Sequence, residues 1–355
     1  MRRTLLLFSD FHISSAGRRT LRRLDECMAT AKWIADLIEL TSPNLVVNLG
    51  DTFDNHAILD VPSLCTGWRA MGLIAQACKT QQIAYVIIPG NHDAYDKNYA
   101  SVEVFRDLGS HVYLPFKSTI VGGFGFFPFT KRFDLATNEL HALEEKCPAV
   151  LTHVDVINAS FANPAIQSPN TRSPVGVDPH AFRGPIFCGH YHHPADLGAF
   201  RFIGSVMYHN FTDEVVPGRP RGVTLATFDD ARLISTKVFP NGNSPVYVKA
   251  SSFNTKSIES LLAIPIPERE RTHVSVKSDE KNAPKVKEKL EYAGFASFRI
   301  VIEKEPEAIS RNGDVTPDTN PVEVLDNYMK AKGTAELDGK RLRAVGEDML
   351  KEARL

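Results

Sequence analysis

Short apolar runs recur along the first part of the chain, and each breaks off at a polar, turn-forming end. Leu5-Leu6-Leu7-Phe8 stops at Ser9-Asp10, Leu45-Val46-Val47 leads to Gly50-Asp51, and Tyr85-Val86-Ile87-Ile88 leads to Gly90-Asn91-His92-Asp93. Runs this short, rich in Val, Ile or Leu and bounded by turn residues, predict buried strands. The stretches between them, Leu21 to Leu40 and Leu64 to Lys79, are long enough for helices. Strands alternating with helices predict βαβ units and a parallel sheet, in which ligands sit beyond the carboxyl ends of the strands. All three runs deliver polar residues at that end.

From about Phe105 the elements shorten. His111–Tyr113, Ser118–Val121, Phe124–Phe127, Ala149–Thr152, Ile186–Cys188, Phe200–Ile203, Val223–Phe228 and Leu233–Phe239 read as strands. Residues 158–179 are rich in Pro, Asn and Ser, a long loop of the kind that is often functional. Asn241-Gly242-Asn243-Ser244-Pro245 reads as a linker. The pattern after it predicts strands at Val246–Val248, His273–Val276 and Phe298–Ile302, with helices at Ile258–Leu262 and Pro284–Tyr292. That is a small α+β unit of roughly 60–65 residues, near the lower limit for independent stability. A polar stretch at 311–320 precedes two amphipathic segments, Pro321–Lys330 and Lys340–Ala353. The expected division is therefore 1–240, 246–305 and 321–355.

The length of 355 residues fits two or three domains. With 41 basic and 42 acidic residues the net charge is -1, so a polyanionic partner must be attracted by local patches or bound cations. Cys27, Cys65, Cys78, Cys147 and Cys188 are widely spaced and form no C-x-x-C pair. That argues against a disulfide framework or a zinc ribbon and suits a reducing cytoplasm. No apolar run approaches the roughly 18 residues of a membrane span, and the one after Arg2-Arg3 is too short for a signal peptide, so neither membrane insertion nor export is expected.

Five clusters follow apolar runs in order: Asp10-Phe11-His12, Gly50-Asp51, Gly90-Asn91-His92-Asp93, His153 and Gly189-His190-Tyr191-His192. Their donors are oxygen and imidazole with no thiolate, a set that suits Mn, Fe or Zn. Asp10, His12, Asp51, Asn91, His153, His190 and His192 are too many ligands for one ion. They suit two ions about 3.5–4 Å apart that share a carboxylate and clamp both oxygens of a phosphoryl displacement. A glycine ahead of a ligand lets the chain leave its strand with φ > 0. The D-x-H and H-x-H spacings put two side chains on one face of an extended segment. Singly, each residue has an ordinary reading: His12 or His190 as a turn histidine, Asp51 or Asp93 as a helix cap. Their joint order and placing decide for a metal site. His56, His111, His141, His180, His193, His209 and His273 are expected in surface or packing roles, with His193 and His209 flanking the site in sequence.

The ordered set resembles the calcineurin-like metallophosphoesterase superfamily over about residues 1–240. Within it, Gly50-Asp51-Thr52-Phe53-Asp54 is similar to the G-D-x-F-D of SbcD-like double-strand-break-repair exonuclease subunits. The Ser/Thr phosphatase branch carries an arginine-bearing G-D-x-x-D-R-G instead; here Asn55 and His56 occupy that stretch. Ile203-Gly204-Ser205, Asp213-Glu214 and Arg221-Gly222-Val223 also resemble the SbcD-like segment after the last histidine motif. The sequence departs from the pattern after His153, where Val154-Asp155 replaces the usual small residue. The resemblance implies an α/β fold, a metallophosphoesterase two-sheet sandwich flanked by helices, with the small α+β unit as a capping domain. It implies Asp10, His12, Asp51 and His192 around one metal and Asp51, Asn91, His153 and His190 around another, with Asp51 bridging and Mn the expected metal. His92 then faces the scissile phosphate as acid or charge stabiliser, and Asp93 orients it through its ring nitrogen. The two C-terminal helices resemble the segment that binds a coiled-coil ATPase of SbcC type, and a homodimer is left open.

Two metals serve phosphodiesters and phosphomonoesters equally well, so substrate size must come from elsewhere. Arg18, Arg19, Arg22 and Arg23 follow the first motif with i, i+4 spacing, which puts a basic stripe on one helical face. Lys131-Arg132 and Arg219 to Arg221 are further clusters, and such patches suit a phosphate backbone. The plain alternative is a solvated face paired with Asp25 and Glu26. The sequence therefore leads to a DNA nuclease, exonuclease on duplex ends and endonuclease on single strands or hairpins, acting in repair or recombination. The second reading is hydrolysis of nucleotide or other small phosphate esters. A third, a DNA-tethering subunit with a vestigial centre, conflicts with the intact ligand set.

Overall fold

The structure, a computed structural model, describes residues 2–15, 21–55, 57–96, 98–159, 173–211 and 220–303. Residues Met1–Glu303 form one unit and Lys304–Leu355 another. The expected terminal helices, the 311–320 stretch, His56, residues 160–172 of the long loop and Asp213-Glu214 lie outside the described residues.

Along the chain run β1 (Arg2–Phe8), α1 (Leu21–Thr41), β2 (Leu45–Asn48), α2 (Val61–Thr80), β3 (Ala84–Ile87), β4 (Val112–Tyr113), β5 (Thr119–Val121), β6 (Phe124–Phe127) and α3 (Phe133–Glu144). There follow β7 (Val150–Thr152), β8 (Ile186–Cys188), β9 (Ala195–Leu197), β10 (Phe200–Phe202), β11 (Gly222–Asp229) and β12 (Arg232–Pro240). They build two six-stranded sheets, β12-β11-β1-β2-β3-β4 and β5-β6-β7-β8-β10-β9. The parallel centre of the first is β1-β2-β3, with Leu5 beside Leu45 and Leu45 beside Ala84. In the second, β6, β7 and β8 are parallel.

Alternation along each strand explains the sandwich. Leu5, Leu7, Val47 and Val86 point one way and pack on Phe126, Leu151 and Phe187 of the second sheet. Leu6, Phe8, Val46, Tyr85 and Ile87 point the other way, onto Ile34 and Ile38 of α1 and Met71 and Ile74 of α2. On the far side, Val150, Ile186 and Cys188 pack on Ala136, Leu140 and Leu143 of α3. Both faces of the central strands are buried, which is why their sequences are unbroken apolar runs rather than alternating ones.

Three differences from the sequence reading stand out. Neither α3 nor β9 was anticipated: α3 buries only Ala136, Leu140 and Leu143, a narrow stripe, and β9 is three residues long. The small unit, β13 (Val246–Ser251), α4 (Thr255–Leu262), α5 (Ile266–Arg269), β14 (Thr272–Ser278), α6 (Ala283–Glu291) and β15 (Ser297–Ile302), is an all-parallel sheet with helical crossovers. It is α/β, not α+β. The expected linker is anchored: Asn241 and Ser244 are buried, and Asn241 Nδ2 donates to Thr30 Oγ1 and Val206 O. The small sheet also meets the larger body, where His273 Nε2 lies 3.0 Å from Glu26 Oε1.

Candidate metal centre

The carboxyl ends of β1, β2 and β3 meet those of β7 and β8 at one place. Val206 N donates to Ser9 O and Phe129 N to Pro89 O, and His153 Nδ1 lies 2.7 Å from Leu49 O. The chain leaves its strands through left-handed turns: Asp10, His12, Asp51 and His190 have φ of 55°, 48°, 53° and 74°. Such conformations cost non-glycine residues about 1–3 kcal/mol each and cluster at functional sites. They replace the extended D-x-H geometry expected from spacing. Asp10 N donates to Gly50 O, His12 N to Asp51 O and Ile13 N to Thr52 O, which draws the first motif onto the second.

Gly50 adopts φ 106°, as its place before Asp51 suggested. Gly90 serves close approach instead, since a Cβ there would lie 2.1 Å from Asp51 Oδ1.

All seven expected ligands converge. His12 Nε2 lies 3.1 Å from His192 Nε2, 3.7 Å from Asp51 Oδ2 and 3.9 Å from Asp10 Oδ1. On the other side of Asp51, His153 Nε2 lies 3.4 Å from Oδ2 and 2.9 Å from Asn91 Oδ1, which is 2.7 Å from His190 Nδ1. Asp51 Oδ2 therefore stands between two donor groups. His12, His192 and His209, then His12, Asp51 and His92, then Asp51, His153 and His190, are groups that could hold an ion.

The contacts of the outer ring nitrogens make the same point. His153 Nδ1 donates to Leu49 O, His190 Nε2 to Asp155 Oδ1 at 3.0 Å, and His12 Nδ1 faces Asp54 Oδ1 at 3.3 Å. A proton on each outer nitrogen would leave the inner nitrogen to a metal, the arrangement of metal-ligating histidines. The inner nitrogens of His153 and His190 both face the Asn91 oxygen. Asp10 is fully buried and, among the described residues, neither carboxylate oxygen has a hydrogen-bond partner. A buried anion left so is costly unless a cation meets it. The donor set fits divalent metal.

Charge is strongly coupled here. Burial opposes ionisation of Asp51, but His153, then His12 and His92, override it and hold its carboxyl well below the usual range. Burial likewise disfavours a charged His153, yet Asp51 pushes it up to about 9. Burial, and then the Asp51 charge, pushes Asp93 up to about 6.

Two expected roles need correction. Asp93 does not hold the His92 ring. Its Oδ2 accepts from Thr52 N and Gly90 N and its Oδ1 from Phe53 N, so it ties two motif loops together. The ring is held by Asp54, whose carbonyl accepts from His92 Nδ1 at 2.7 Å. Arg23 is not part of an exposed stripe. It is 3 % exposed, donates to Tyr208 O at 3.1 Å, and lies against Glu26 and His209 Nδ1. Arg22 is exposed; Arg18 and Arg19 lie outside the described residues.

Sequence reasoning also missed supporting residues. Asp54 was visible in the Gly50–Asp54 motif but had no assigned task. Asp155 stands two residues after His153, and that offset was its only signal. His209 is buried with its ring centroid 4.9 Å from that of His12 and 4.8 Å from that of His192, and only its position after the last motif drew notice. Arg221 donates to His192 O and lies 3.3 Å from His193 Nδ1.

A model of the calcineurin-like phosphoesterases matches residues 3–194. No curated protein matches the chain. Among solved structures it is similar to purple acid phosphatase PPD1 from yellow lupin (Lupinus luteus) seeds, at 15% identity and TM-score 0.38, over 64% of this chain and about half, 49%, of that one. It is also similar to a dimetal phosphatase from Danio rerio, at 13% identity and TM-score 0.35, over 63% of this chain and 92% of that one. A third likeness is NAD nucleotidase from Haemophilus influenzae, at 11% identity and TM-score 0.28, over 82% of this chain and 60% of that one.

Proposed function

Because the chain belongs to the calcineurin-like phosphoesterase family, we propose that it is a two-metal phosphodiesterase that cleaves DNA, a nuclease of SbcD type. The observation that carries the chemistry is the position of Asp51 Oδ2 between the His12–His192 pair and the His153–Asn91–His190 group. Asp10, His12, Asp51 and His192 would hold one ion, and Asp51, Asn91, His153 and His190 the other, with Mn the metal of choice. Bound divalent cations supply Lewis acidity, neutralise developing charge and make water acidic enough to attack near neutral pH.

The side chains divide the remaining work. His92 is fixed at both ends, its amide donating to Asp51 Oδ1 at 2.8 Å and its Nδ1 to Asp54 O. Nε2 is then the nitrogen that takes up a proton and delivers it to the leaving oxygen. Asp93 keeps the 51–53 and 90 backbones in register beneath this histidine. Asp54 and Asp155 hold the tautomers of His12 and His190.

DNA as substrate is supported by the likeness of Gly50–Asp54 and Ile203–Ser205 to SbcD-type nucleases. Both segments take part in building the site. Asp54 holds His92, and Ser205 N donates to His192 O while its buried hydroxyl donates to Met207 O. The exposed Arg22 remains a candidate phosphate contact. An SbcC-type ATPase partner and the capping role of residues 246–305 belong to the same proposal. One observation favours the second reading, small nucleotide esters: a cavity of about 430 Å³ adjoins Asn91. Incubation with Mn and labelled linear duplex, hairpin and mononucleotide esters separates the two. DNA cleavage at a rate well above ester hydrolysis is expected; ester hydrolysis with intact DNA would reverse the choice.

A further inference from the structure

The cavity beside Asn91 has a distinct chemistry. Its volume of about 430 Å³ falls within the ordinary span for ligand sites, about 300–1,000 Å³. Asn91 belongs to both the donor cluster and the cavity lining. Phe129 stands at the junction, its ring centroid 6.3 Å from that of His153 and 6.4 Å from that of His190. Phe116, Phe127 and the exposed Tyr95 add aromatic wall, and Leu135 of α3 closes one side. Lys117 and Lys131 line the same space and are exposed. Two carboxylates are present as well, and both are engaged locally: Glu139 accepts from Ser118 Oγ, and Asp96 from the amides of Asn98 and Tyr99.

We propose that this cavity receives the nucleobase next to the scissile phosphate, an inference that rests on the phosphodiesterase reading above. Asn91 is shared by the donor cluster and the cavity, with Phe129 beside it, so a substituent of a phosphoester held at Asp51 has the cavity within reach. Aromatic walls bind any base by its π-face, worth roughly 10-fold or more in affinity per base. Lysines at the same place suit the neighbouring phosphates of a strand. A lipid tail would leave those lysines without purpose. A strand-terminal base and the base of a free mononucleotide share this chemistry.

The test uses the full chain loaded with Mn. Calorimetric titration compares inorganic phosphate with deoxyadenosine 5′- and 3′-monophosphate. At least one nucleotide is expected to bind 10-fold or more tighter than phosphate. Leu135→Trp, which fills the space, and Phe116→Ala, which removes a wall, should each abolish most of that preference. The two change volume in opposite senses, so a folding defect in one leaves the other to decide. A second arm compares Mn-dependent hydrolysis of an oligonucleotide with that of the same strand carrying an abasic analogue at its terminal position. Slower cleavage of the abasic strand assigns the cavity to a strand end; equal cleavage with the nucleotide preference intact assigns it to mononucleotides. Nucleotides bound no tighter than phosphate, by a chain that does hydrolyse a chromogenic phosphodiester, overturn the cavity proposal and leave the phosphodiesterase standing. Tight nucleotide binding by a chain without any phosphoester hydrolysis does the reverse.

Discussion

His92 follows the proposed ligand Asn91, yet its own contacts, Nδ1 on Asp54 O and its amide on Asp51, suit the proposed role of proton carrier. His92→Asn should therefore keep metal affinity and lower turnover by about 10²–10⁴-fold, the usual worth of a positioned acid. Calorimetry beside steady-state rates checks this, and a loss of metal equal to that of His190→Ala would refute the division of roles. Asp51→Asn should weaken metal binding more than Asp10→Asn, because Asp51 Oδ2 faces both donor groups while Asp10 meets one. The titrated stoichiometry of the two variants tells them apart. The residues that converge were legible in the sequence because carboxylates and imidazoles fall after successive apolar runs. The geometry was not. Spacing suggested extended pairs, whereas left-handed turns at Asp10, His12, Asp51 and His190 bring the side chains together, and single-residue φ values leave no periodic trace. Asp93 was misread for a related reason: adjacency in sequence hid that its carboxylate turns inward to backbone amides.

Helix α1 carries the clearest contrast between two neighbours. Arg22 faces solvent, while Arg23 is buried against Glu26 and His209, and Glu26 in turn meets His273 of the small sheet. Arg23→Leu leaves a buried carboxylate short of a cation and should cost about 3 kcal/mol or more. Arg22→Ala should change stability by no more than about 0.5 kcal/mol. Chemical denaturation reads both. On DNA, Arg22→Ala should weaken binding evenly across sequences and flatten the salt dependence, with a slope smaller by about 1 if Arg22 meets one phosphate. An unchanged slope assigns it to a solvated face. Long, strongly patterned elements were readable, α1 and α2 among them, because apolar spacing over about twenty residues dominates local ambiguity. α3 escaped because its buried stripe is three residues wide, although its Leu135 forms a wall of the cavity beside the centre.

The whole molecule organises two sheets so that their carboxyl ends share one polar seam between apolar layers. That seam holds Asp10 and Asp51, both fully or almost fully buried, among a ring of imidazoles. The layered α/β architecture followed from the order of strands and helices, but the small unit's parallel pairing did not, since short strands separated by helices fit either class until their partners are known. Cys27, Cys78 and Cys188 are buried, and no helix among the described residues is long and apolar enough to cross a membrane. Removing metal should expose the electrostatic design: with the buried Asp10 carboxylate left without a hydrogen bond among the described residues, the chelated chain should melt several degrees lower, and Mn should restore the difference.

The most direct measurement is a titration of the metal-stripped chain with Mn while hydrolysis of bis(4-nitrophenyl) phosphate is followed. Two ions sharing Asp51 require that the stripped chain be inactive, that two ions bind per chain, and that the rate reach its plateau only as the second site fills. Activity that survives stripping, or that is complete with a single ion bound, would contradict a two-metal centre built around Asp51.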